Sequence, residues 1–349
     1  MRLWRSWALA LGVGAAGGVL FNALHLPLPW MLGSMTACTV AALSGVPVAV
    51  PRHLRSVMMG VLGLMLGSAF TPDIPDRISG WGPSLGAQTL AMVVATAGVM
   101  AYLRKVGGFG RVTAYFSAAP GGINEMVVTG GAMGGDEHAI ALIHALRILL
   151  IVFAVPFGFR LVTGVQSQPM ARAMGTLADL SLVDAGMLVA CAAAGAGVAR
   201  VLRFPAWMLT GPMLASAAVH LGGVTVAHPP SELVIAAQVV VGSGLGARFS
   251  TQRWSALAGM VRVALGSTAI MLAASAGAAG LTAALSGEPF ALLLLSFVPG
   301  GIAEMCLIAL ALGQDVAFVS THHVVRVVMV IMAAPLIFRL ARRLEEKKA

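Results

Sequence analysis

The sequence predicts an all-α polytopic integral membrane protein built from two homologous repeats. Three observations carry the prediction. The chain is too apolar for water, its apolar runs lack the alternation of strands, and one unusual motif occurs twice at a fixed spacing. Hydrophobic residues make up 58% of the 349 and charged residues 10%, against about 25% charged in a soluble domain. That excludes an ordinary soluble globule and a disordered chain. The length accommodates about ten to twelve crossings of about 20 residues each. The 22 Lys and Arg outnumber 13 Asp and Glu, for a formal charge of +9. In a soluble protein that balance would suggest nucleic acid. In a membrane protein basic residues gather on the cytoplasmic side, and Arg339, Arg342, Arg343, Lys347 and Lys348 form such a group. No nucleic-acid partner is expected; the lipid bilayer is.

The first apolar run, 7–24, follows Arg2 and Arg5 and is read as a transmembrane helix that also serves as the targeting signal. Runs at 29–46, 55–70, 84–102, 112–134 and 138–160 follow. A more polar stretch over 166–180 contains Gln166-Ser167-Gln168-Pro169, and then come 181–199, 207–222, 231–247, 256–285, 290–313 and 316–338. All should be helical, because in lipid only helices and closed barrels satisfy their own backbone polar groups, and a barrel would need short alternating strands.

The motif is Pro120-Gly121-Gly122-Ile123-Asn124-Glu125-Met126, which returns as Pro299-Gly300-Gly301-Ile302-Ala303-Glu304-Met305. The 179-residue offset also matches Asp136 with Asp315, His144 with His323, Arg147 with Arg326 and Pro156 with Pro335. Between 120 and 161, 16 of 42 positions are identical to their counterparts. The chain therefore divides into a repeat over 1–165, a polar linker over 166–180 and a second repeat over 181–349. If every segment spans, the halves are parallel, and 14 basic residues lie inside against 5 outside. If each Pro-Gly-Gly segment is a re-entrant hairpin, each half spans five times and the halves are inverted. The split becomes 16 against 3, so the positive-inside rule favours inversion by two charges. Both termini are then cytoplasmic.

Proline withholds a backbone donor and glycine admits conformations closed to other residues, so each Pro-Gly-Gly should break its helix. Matching breaks in two halves point to a binding site between repeats. The candidate substrate or ion residues are Pro120, Gly121, Gly122, Asn124, Glu125, His144 and Arg147, with Pro299, Gly300, Gly301, Glu304, His323 and Arg326. Each glutamate falls in the first turn after the break, where the helix dipole favours a carboxylate, and a charge within the membrane is by default a site hypothesis. The arginines, which keep their charge, either form structural pairs with Glu125 and Glu304 or hold an anionic substrate while the glutamates carry a coupling ion. His144 and His323 lie one turn before the arginines, as proton relays or as hydrogen-bonded core residues. Asn124 has Ala303 as its counterpart, so the two half-sites differ.

Cys38, Cys191 and Cys306 are scattered and no histidine pair has ligand spacing, so no metal or other cofactor is expected. No P-loop or nucleophile motif occurs, and no enzymatic activity is expected. Gly14-x-x-x-Gly18, Gly63-x-x-x-Gly67 and Gly242-x-x-x-Gly246 offer close helix approach, within the chain or in a homo-oligomer.

The doubled Pro-Gly-Gly-x-x-Glu-Met, the Gly135-Asp136 and Gln314-Asp315 pairs, His-x-x-Arg and the closing Pro-x-x-Phe-Arg resemble the AbrB family of bacterial membrane proteins over about Trp30 to Arg343. That family shares a name with a small DNA-binding regulator whose fold nothing here resembles. The resemblance implies an inner-membrane protein, a transporter of an unidentified small solute, with one member linked to regulation of gene expression; the alternative reading is a membrane regulator or scaffold that affects gene expression indirectly. It also brings the label ammonia monooxygenase, which the missing ligand cluster does not favour.

Overall fold

The computed structural model describes residues 2–163, 174–250 and 254–346. All regular structure among them is helical. Seven helices are long and apolar enough to cross a membrane, as expected of a multi-pass membrane protein. Most of the polar linker expected at 166–180 lies outside the described residues, as do Lys347 and Lys348 and the side chains of Arg339, Arg342 and Arg343.

In chain order the helices are α1 (Arg2–Ala23), α2 (Pro29–Leu43), α3 (Arg52–Gly67), a short α4 (Ile74–Ile78), α5 (Gly82–Lys105), α6 (Arg111–Ala118), α7 (Ile123–Ala132) and α8 (Glu137–Thr163). Then come α9 (Leu182–Val201), α10 (Trp207–Leu221), α11 (Ser231–Gly246), α12 (Trp254–Ser286), α13 (Phe290–Phe297), α14 (Ile302–Ala311) and α15 (Val316–Glu346). The runs expected at 112–134 and 290–313 are each two short helices, interrupted at Pro-Gly-Gly. The bounds of α6 and α7 recur 179 residues later in α13 and α14, and those of α3 in α11. The run expected at 29–46 is shorter than forecast, because α2 ends at Leu43 and Ser44-Gly45 turns the chain, Gly45 with a φ of +84°.

The chain forms two compact units. The first joins residues 1–80, 152–256 and 303–317. Its helices cross where glycine lets one backbone approach another. A methyl group on Gly17 would strike the carbonyl of Gly33, and one on Gly195 would strike that of Gly211. Gly63 and Gly67 of α3 lie against the carbonyls of Leu209 and Met213 in α10. Gly242 and Gly246 of α11 lie against those of Met31 and Met35 in α2. In each of these last two pairs the contacts advance in step, so the helices run parallel. The contacts thus come as two sets, with equivalent positions meeting equivalent partners. The glycine pattern read in the sequence serves this internal packing. Gly244, near the end of α11, lies beside Val50 and Arg55, at the start of α3. Helices α3 and α11 are therefore antiparallel.

The second unit joins 81–151, 257–302 and 318–349. One core cluster gathers Ala95, Val99 and Leu103 of α5 with Ala114 and Ala118 of α6, Ile143 of α8 and Met271 of α12. Another sets Phe116, Met126 and Ile140 against Val330, Ala334 and Phe338 of α15. Tyr115 closes that contact by donating its hydroxyl to the Ala334 carbonyl at 3.0 Å.

Candidate functional site

Helices α6 and α7 do not continue one another. Gly130 of α7 lies against Phe116 of α6, Gly135 lies against Val112, and the Asp136 amide donates to Thr113 Oγ1 at 3.0 Å. A continuous helix would hold residues 116 and 130 about 20 Å apart. The segment is a helical hairpin with Pro120-Gly121-Gly122 at its tip. Side chains are excluded there. A Cβ on Gly121 would meet Met126 and Val330 at about 3 Å, and one on Gly122 would overlap the Glu125 carboxylate, which folds back over the start of α7.

The break leaves carbonyl groups without donors. In a helix each carbonyl accepts from the N–H four residues on. Pro120 has none to give to Phe116, and the Gly121 amide turns to Ala119 instead, at 3.0 Å. Helix α8 supplies what is missing. His144 Nε2 donates to the Phe116 carbonyl at 2.9 Å. Arg147 Nη1 donates to the carbonyls of Ser117 and Ala118 at 3.0 and 3.3 Å. Arg147 Nη2 also lies 2.6 Å from His144 Nδ1. Because Nε2 must carry the proton to reach a carbonyl, Nδ1 is the acceptor for the arginine, and this geometry holds the ring as the neutral Nε2–H tautomer.

The second interruption is supported alike. Pro299 withholds an N–H from Leu295, and His323 Nε2 donates to that carbonyl at 3.0 Å. Arg326 donates to Val298 at 3.0 Å and to Gly300 at 2.8 Å. Gln88 of α5 covers the Ser296 carbonyl at 2.8 Å. His144, Arg147, His323 and Arg326 are all at most 3% exposed.

These contacts place the thirteen candidates in three groups. Pro120, Gly121, Gly122, Pro299, Gly300 and Gly301 make the interruptions. His144, Arg147, His323 and Arg326 hold the interrupted ends. Asn124, Glu125 and Glu304 are not among the donors that hold the interrupted ends. Asn124 is exposed and Glu125 half-buried, whereas Glu304 is buried at 7% exposure. The sequence offered carboxylates or a substrate as partners for the arginines. For Arg147 the structure provides instead the interrupted carbonyls of α6 and the His144 ring.

Glu304 belongs to the first unit, in the first turn of α14. There it lies within electrostatic reach of Arg55 in α3 and Arg248 in the turn after α11. Those two arginines also act on one another. Sequence reading missed both, counting them as loop charges. The available signal was position, since each stands within or next to an apolar run where an arginine is costly.

Two relatives align along nearly the full chain. "Uncharacterized protein YhjN" of Bacillus subtilis (strain 168) is 27% identical, with 98% of this chain and 94% of the relative covered. "Putative regulator AbrB" of Escherichia coli (strain K12) is 24% identical, with 95% of each covered. The family model described as "Transition state regulatory protein AbrB" matches residues 30–342, and on that match, which takes in both Pro-Gly-Gly elements, the chain belongs to the AbrB family.

Proposed function

We propose that the protein is a secondary transporter of a small anionic solute, driven by an ion gradient and built from two inverted repeats in the bacterial inner membrane. The observation that carries the reading is the pair of Pro-Gly-Gly interruptions, each held by buried His and Arg side chains. Irregular backbone at membrane depth is tolerated where it is buried in protein or lines a cavity, and paired interrupted helices are the usual setting of a transport site. Asn124 and Glu125 are the groups offered to solute or ion at the first hairpin, and Glu304 is the second carboxylate. The histidines and arginines are positioning residues that keep the breaks open. No cofactor and no catalytic step enter this reading.

Inversion is supported by the antiparallel course of α3 and α11, which occupy equivalent places 179 residues apart. It is also supported by the mutual reach of Arg55 and Arg248, which the parallel scheme would put on opposite faces. Gly110 and Pro289 are equivalent exposed positions preceding α6 and α13. With Cys38, Cys191 and Cys306 removed, Gly110→Cys and Pro289→Cys should differ toward a membrane-impermeant thiol reagent on intact cells. One should label at once and the other only after lysis. Equal behaviour would mean parallel halves.

Function is tested in proteoliposomes with labelled acetate, benzoate and succinate. Glu125→Gln and Glu304→Gln together should abolish proton-dependent flux. Flux that keeps its rate and proton dependence would make both glutamates structural.

A further inference from the structure

The cluster of Arg55, Arg248 and Glu304 has a charge composition that structural packing does not explain. All three belong to the first unit. Among the described residues, the ion pairs within 4 Å are those of Arg77 with Asp73 and Asp315, so neither arginine closes on Glu304. The Arg55 side chain runs over Gly244, whose missing Cβ would touch Arg55 Cδ at 3.3 Å. Its Nε lies buried with no hydrogen-bond partner. Two half-buried guanidinium groups against one buried carboxylate leave an excess positive charge that an anion would balance. The duplication gives no second copy of this arrangement, because Val234 stands where Arg55 would recur and Ala69 where Arg248 would precede. The cluster is therefore not a by-product of the duplication.

We propose that Arg55 and Arg248 form a binding site for the carboxylate of a small organic anion, and that Glu304 links occupancy of this site to a proton. The inference rests on the transporter reading and names its substrate class. A single negative charge balances the cluster when Glu304 is ionised, and the guanidinium fork matches the two oxygens of a carboxylate. Arg55 Nε is a donor already in place for one of them. Protonation of Glu304 removes the anion's competitor for the arginines, so proton and carboxylate each strengthen the other's binding, as linkage requires. The charged groups acting on Glu304 are Arg55 from α3 and Arg248 from the turn after α11.

The test uses the purified full-length protein in detergent. Its melting temperature is followed against acetate, benzoate, succinate and inorganic phosphate, with chloride controlling for ionic strength. At least one carboxylate should stabilise it saturably. Arg55→Gln and Arg248→Gln should each raise the half-saturating concentration about 30-fold or more, with partial recovery in Arg55→Lys. Glu304→Gln should retain binding and lose its dependence on pH. Should the arginine variants fail to fold, Gly244→Val displaces the Arg55 side chain without removing its charge and should weaken binding in the same direction. Stabilisation by phosphate alone would overturn the carboxylate assignment. Absence of any saturable shift, or shifts unchanged in the arginine and Gly244→Val variants, would overturn the site. Counterflow of the stabilising carboxylate separates this inference from the transporter reading. Binding without flux keeps the site and removes transport, whereas flux indifferent to both arginines removes the site and keeps transport.

Discussion

Replacing Arg147 with methionine should destabilise the protein by about 2–4 kcal/mol, because two buried carbonyl groups lose their donor at about 1–3 kcal/mol each. The groups are those of Ser117 and Ala118, and His144 loses its partner at Nδ1 in the same step. Methionine fills similar space, so the effect reports hydrogen bonding more than cavity formation. Arg147→Lys should fall between, keeping the charge but not the fork. A double-mutant cycle identifies the cause. His144→Leu leaves the Phe116 carbonyl without a donor, and Pro120→Ala restores a backbone N–H at the position from which that carbonyl is normally served. The cost of His144→Leu should therefore be smaller in the Pro120→Ala background. Melting in detergent reads all four proteins. Unchanged stability in Arg147→Met would remove this arginine from the scaffold.

A larger effect is expected at the glycine crossings of the first unit. Gly63→Val places branched carbons on the Leu209 carbonyl, with the Met213 amide nitrogen 3.2 Å from the added Cβ. Both obstacles are backbone, so no rotamer change relieves the clash. Gly242→Val meets the Ser34 hydroxyl and, behind it, the Met31 carbonyl. Each should cost about 3 kcal/mol or more, at or beyond the upper end for overpacking, and reduce the yield of monodisperse protein. The matched control is Gly86→Ala in α5, where an added Cβ has nothing within 4 Å. It should be neutral or stabilising by up to about 1 kcal/mol from helix propensity. If Gly63→Val and Gly86→Ala melt alike, the helices do not approach as closely as the structure places them.

Much of this was legible in the residues. The apolar runs, the interruption at each Pro-Gly-Gly and the close-packing glycines all have local signatures, in hydropathy, in a missing N–H and in a missing Cβ. The partners of Arg147 and Arg326 had none. Backbone carbonyls carry no letter in a sequence, so the arginines invited a search among side chains, and Glu125 and Glu304 stood nearest in the motif. Neither Gly17 with Gly33 nor Gly195 with Gly211 forms a spaced pair within one helix, so pattern reading passed over them. Arg55 and Arg248 were hidden for a different reason. They lie 193 positions apart, and only the antiparallel pairing of α3 and α11 brings an early arginine near a late one.

The glycine crossings also limit how the first unit can deform. Helices separated by side chains can slide, since rotamers absorb small displacements. Here a carbonyl oxygen faces an α-carbon directly, and contacts at Gly63 and Gly67 must shift together or not at all. These backbone contacts oppose shear along α3 and α10 and along α2 and α11. The unit should therefore move as a solid block, and its amide protons at these crossings should exchange as one slow group.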